Sequence, residues 1–140
     1  FLGCGMLKDI VLSEKLTVLG AYAFSGCSEL TEIVIPSTVN AIEEYAFSDC
    51  AKLSTVDIAS PALKYIAGHA FDGCYNLVGV TIRSVDTTEF SGSVGGVFFS
   101  PFKDCRNVKI YVPSETVERY KSYYGHLDDN TLEAKFVAIP

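Results

Sequence analysis

Residues 23–36 read Ala-Phe-Ser-Gly-Cys-Ser-Glu-Leu-Thr-Glu-Ile-Val-Ile-Pro, and the same phrase returns along the chain. Five cysteines, Cys4, Cys27, Cys50, Cys74 and Cys105, stand 23, 23, 24 and 31 residues apart. Each follows a phenylalanine by three positions: Phe1, Phe24, Phe47, Phe71 and Phe102. Beyond the first four cysteines come Leu7, Leu30, Leu53 and Leu77, then Ile10, Ile33, Val56 and Val80, then Leu12, Ile35, Ile58 and Ile82. The fifth unit carries Val108, Ile110 and Val112, the same alternation after a one-residue deletion. Counting back from each following phenylalanine gives Leu16 and Leu19, Val39 and Ile42, Leu63 and Ile66, and Val94 and Val97. All the cysteines therefore occupy one position of one repeat.

An apolar-x-apolar pair is a short strand showing one face to the interior, because side chains alternate sides with a period of two. A unit of about 23 residues cannot bury that face alone. Copies must stack, and the apolar columns then become continuous ladders. The Phe-x-x-Cys segment is expected to turn the chain between strands, with the ring plugging the axis of the coil. The cysteine column reads as small buried thiols, all five reduced: metal binding calls for closely spaced ligands, and ladder neighbours point parallel rather than toward each other.

The unit at residues 23–36 resembles the BspA-type leucine-rich repeat of bacterial surface proteins. Residues 110–121, Ile-Tyr-Val-Pro-Ser-Glu-Thr-Val-Glu-Arg-Tyr-Lys, are similar to the closing unit common in that family. The resemblance covers roughly residues 1–125 and implies a β-rich leucine-rich-repeat solenoid with a C-terminal capping helix: a right-handed stack of parallel strands, of the α/β horseshoe superfamily. It further implies a secreted or surface-attached protein that binds a protein or glycan on a host or bacterial surface, in the manner of an adhesin.

One domain is expected over residues 1–140, with units starting near 1, 24, 47, 71 and 102 and a cap over 113–140. The fourth unit is long. Counted back from Phe102, its surplus falls in residues 84–93, Ser-Val-Asp-Thr-Thr-Glu-Phe-Ser-Gly-Ser, whose composition suits an outward loop. After Pro113 the period changes: Val117, Tyr120 and Tyr124 fit a helix over 115–124, capped by Ser114 and ended by Gly125, that lids the last coil. The tail from Thr131 to Ile139 reads as one more strand, added to the edge of the last unit. At the other end Phe1 opens a unit at its turn, which suggests the C-terminal part of a longer array. An open first coil of this kind favours self-association.

The formal net charge is −6 and the Lys and Arg residues are scattered. Nucleic acid is therefore not an expected partner, since that needs a concentrated basic patch. No apolar run approaches the ~20 residues of a membrane helix. The two histidines, His69 and His126, suggest no chemistry: His69 takes the place of Tyr22 and Tyr45 in its column, and His126 follows Gly125. The carboxylates are dispersed, and no phosphate loop, nucleophile elbow or His-Glu-x-x-His is present. No cofactor, no metal and no enzymatic activity are expected.

What remains is a surface. The outward positions of the strand after each cysteine form two columns: Asp9, Glu32, Thr55, Gly79 and Lys109, and Val11, Val34, Asp57, Thr81 and Tyr111. A stacked sheet face of this kind is how solenoids usually meet macromolecules. Two readings stay open: a ligand-binding face made by these residues, or solvated strand positions on a structural or self-assembling spacer.

Overall fold

A computed structural model describes residues 1–86, 89–91, 93–94, 97–98, 100–124 and 135–139. Two parallel sheets run along the stack. One contains β1 (Val18–Leu19), β3 (Ala41–Ile42), β5 (Tyr65–Ala67) and β7 (Glu89–Ser91) in that order. The other is ordered β11 (Phe136–Ala138), β10 (Lys109–Val112), β6 (Gly79–Ile82), β4 (Thr55–Ile58) and β2 (Glu32–Ile35). The repeat dictates the register. Ile33 pairs with Val56 and Val56 with Val80, while Ile110 pairs with Val80 across the one-residue deletion. Along β2 exposure alternates outward, inward, outward, inward, as period-two patterning requires.

The core lies between the sheets and is built of ladders. Phe1, Phe24, Phe47, Phe71 and Phe102 stack nearly parallel, with ring centroids 5.3, 5.3, 5.2 and 5.4 Å apart. Beside them the thiols of Cys27, Cys50, Cys74 and Cys105 each donate to the carbonyl of a phenylalanine one coil back: Phe1, Phe24, Phe47 and Phe71 respectively. Satisfying each polar hydrogen locally lets the column sit in an apolar core. All five cysteines are free, and four are buried. Cys4 is exposed, contrary to expectation, because no coil of the described chain covers its outer side.

The turns repeat a backbone feature that composition does not announce. Tyr22, Tyr45 and His69 adopt left-handed φ values of 59°, 57° and 60°. Their rings stack at 5.0 Å, Tyr22 on Tyr45 and Tyr45 on His69, so coil-to-coil contact offsets the local strain. The residue before each cysteine is left-handed too, as Gly3, Gly26, Asp49, Gly73 and Asp104.

Three expectations need correction. Residues 84–93 are not simply a surface loop. Ser84 is buried, in the column of buried Ser60, and β7 pairs in register with β5, setting Phe90 opposite Ile66. The surplus lies further on, where β8 (Ser93–Val94) pairs antiparallel with β9 (Val97–Phe98). Register is thus inherited from the preceding strand, and counting forward from Ile82 finds it where counting back from Phe102 does not. Second, the strand expected at Ile10 and Leu12 does not form: residues 7–13 belong to no strand, although both side chains pack against the core. Among the described residues this coil is packed from one side only, so its apolar column is half-buried and gains correspondingly less from pairing. Third, Ser114 does not cap the helix. A 3-10 turn over Ser114–Thr116 leads into α1 (Val117–Tyr124), and the Thr116 hydroxyl bonds back to the Pro113 carbonyl, while Ser114 contacts Glu115.

The cap otherwise stands as the spacing indicated. Val117 and Tyr120 are buried, Tyr120 stacks on Phe136 at 5.0 Å, and β11 extends the sheet beside β10. Gly125, His126 and residues 131–134 of the tail lie outside the described residues.

Candidate binding face

The sheet β2-β4-β6-β10 turns its non-core face to solvent, and the two outward columns lie on it. Glu32, Val34, Thr55 and Lys109 are exposed, while Asp57, Thr81, Gly79 and Tyr111 are half-buried. Asp9 and Val11 are exposed on the neighbouring non-strand segment of the first coil. Val11 and Val34, at 97% and 61% exposure, are apolar groups with no covering.

Two shallow depressions mark this face. One, of about 280 Å³, crosses four strands and is lined by Glu32, Val34, Thr55, Asp57, Gly79, Thr81 and Tyr111. The Tyr111 ring lies beside Gly79, its Cε2 3.7 Å from where a β-carbon there would stand, an ordinary van der Waals distance. The other, of about 380 Å³, lies between the first coil and β2, lined by Asp9, Val11, Leu12, Glu14, Glu32 and Val34 among others. Lys109 lines neither depression.

Charge is unevenly matched across the face. Asp57 accepts two hydrogen bonds from the Arg83 guanidinium, Nε at 3.1 Å and Nη2 at 2.9 Å. Among the described residues Asp9, Glu14 and Glu32 have no such partner. The columns named from sequence omit Glu14, Pro36 and Arg83. The signal for Arg83 was present, since it lies two residues beyond Thr81 and the period of two puts both on one side.

Elsewhere the polar groups are satisfied structurally. His69 Nδ1 lies 3.2 Å from Asp72 Oδ2. Tyr65 donates to the Glu43 carboxylate, which pushes the phenol upward from its ordinary value. Burial pushes the Cys105 thiol up to about 12, and a hydrogen bond with Cys50, together with burial, raises Cys74, so these thiols are held protonated and unreactive. No group of three potential metal ligands occurs among the described residues, and no helix among them is long and apolar enough to cross a membrane.

A family model described as BspA type leucine rich repeat region matches residues 1–123 in six copies, one more than the Phe-x-x-Cys units. Among solved structures, a leucine-rich repeat protein from Bacteroides ovatus is similar at 30% identity with a TM-score of 0.56. The match covers 67% of this chain and 27% of that one, so the chain spans about a quarter of that protein's length. No curated protein matches the chain.

Proposed function

The chain belongs to the BspA-type leucine-rich repeat family, and from that premise we propose that it is a non-catalytic binding module, secreted or surface-attached in a bacterium. Its partner is a protein or glycan of a host or bacterial surface, engaged in adhesin fashion through Asp9, Val11, Glu32, Val34, Thr55, Asp57, Thr81, Lys109 and Tyr111. The observation that carries this reading is the continuous depression across β2, β4, β6 and β10, lined by side chains from four coils. Family and fold support it in outline: such repeats are commonly protein-binding modules, and the family is generally surface-associated in bacteria.

A panel of immobilised extracellular-matrix and bacterial-surface proteins tests the reading, with the whole chain as analyte. The partner that binds should be lost to the double variant Val34→Glu, Tyr111→Ala and kept by Lys64→Glu, a change at an exposed position away from both depressions. Equal binding by both variants would remove the sheet face from consideration. No binding by the parent chain would favour the spacer.

A further inference from the structure

The strands β2, β4, β6 and β10 pair in unbroken register, so their outward residues stand in two straight columns. From β2 to β10 one column runs Glu32, Thr55, Gly79, Lys109, and the other Val34, Asp57, Thr81, Tyr111. Each column complements itself when its order is reversed. An acid at one end answers a base at the other, a threonine answers the position without a side chain, a valine answers an aromatic ring and a carboxylate answers a hydroxyl. Among the described residues neither Glu32 nor Lys109 enters an ion pair within the chain. Asp57 holds Arg83 through two hydrogen bonds, and a carboxylate has further acceptor sites beyond two.

We infer that this face pairs with the same face of a second copy of the chain, coil order reversed, about a two-fold axis that runs along the strands between β4 and β6. The inference rests on the binding-face reading and names the partner of that face. A two-fold interface needs a self-complementary patch, and the reversed columns supply one. In this arrangement β2 lies over β10 of the copy and β4 over its β6. Glu32 then meets Lys109 and Val34 meets Tyr111, each twice by symmetry. Thr55 stands over Gly79 and Asp57 accepts from the Thr81 hydroxyl, so the depression lined by these residues receives the copy's side chains. Val11, one repeat before Val34, falls opposite Val137, which β11 places beside Tyr111. A copy turned about the long axis of the stack instead sets Glu32 on Val34 and Lys109 on Tyr111, covering each charge with an apolar group and no partner. Four short strands make a contact at the small end for specific interfaces, so the pairing is weak between free molecules and gains strength where many copies share a surface.

Sedimentation equilibrium on the whole chain provides the test. The parent should dimerise with a Kd of roughly 10–100 µM and more weakly as salt is raised. Glu32→Lys and Lys109→Glu should each weaken dimerisation about tenfold or more, because each sets like charges together at two places. Both positions are exposed, so the circular dichroism of each variant should match the parent. An equimolar mixture of the two variants should associate within about threefold of the parent, since every opposed pair again holds one acid and one base. Each substitution changes the formal net charge of −6 by two, so both variants stay acidic and general attraction between them does not explain the recovery. Lys64→Glu makes the same charge change as Lys109→Glu away from the face and should dimerise as the parent does. A mixture as weak as either variant alone, or either variant dimerising at the parent's strength, would overturn the pairing. A parent that stays monomeric while a panel partner is still lost to Val34→Glu, Tyr111→Ala would sink the pairing and leave the binding face standing.

Discussion

Cys4 and Cys105 share one column and differ in burial. Cys105 is buried, donates to the Phe71 carbonyl and is pushed up to about 12, whereas Cys4 is exposed. A native titration with a thiol reagent should therefore modify Cys4 quickly and the other four only with unfolding; rapid modification of more than one would contradict the buried ladder. The raised value also sets a pH dependence. Above about 8.5 the unfolded thiol ionises while the native one does not, so the unfolded state holds fewer protons and stability falls with pH. That contribution is complete below about 8.5 and is lost as pH approaches about 12. Tm should decline more steeply between these limits for the parent than for Cys105→Ala. Glycine at 73 is equally position-bound: at φ +72° an added β-carbon would stand 2.6 Å from Asp49 Oδ1. Gly73→Ala should cost about 1–2 kcal/mol in urea unfolding from backbone handedness alone. Gly26→Ala, whose nearest neighbour would be at 3.4 Å, should cost less than Gly73→Ala.

Among the elements, the C-terminal helix is held by one aromatic more than by its own propensity. Eight residues make a marginal helix in isolation, and no side chain caps the turn that precedes it. Tyr120, fully buried against Phe136, ties the helix to β11, and β11 in turn covers the edge of β10. Tyr120→Asp should remove about 3–5 kcal/mol, because it opens a cavity and buries a charge. It should also speed hydrogen exchange in β10 and β11 ahead of β4. Uniform exchange across the sheet would show that the cap is not a separate unit.

At the scale of the molecule, each coil touches only its neighbours, so stability is close to a sum of coil and interface terms. Phe71 lies in the middle of the ring ladder, between Phe47 and Phe102. Phe71→Ala should cost about 3–5 kcal/mol and weaken the coupling between coils on its two sides. Hydrogen exchange should then separate β2 and β4 from β10, whereas equal acceleration everywhere would indicate one indivisible cooperative unit.

The spacing of Phe, Cys, Leu and Ile was sufficient by itself for the stack, the parallel register, the inward columns and the buried face of the closing helix. Burial of an alternating apolar pattern admits one register, and a slip of one residue would turn every side chain to the wrong side. The outward placement of Glu32, Val34 and Thr55 follows from the same rule. Only the tertiary structure decided which coil is left unpaired, which cysteine is exposed, where the surplus of the fourth unit goes and that Arg83 neutralises Asp57. These depend on what lies on each side of a residue in the stack. A repeat writes the same letters for a coil with two neighbours as for a coil with one, and the difference in burial and pairing between them is a property of position alone.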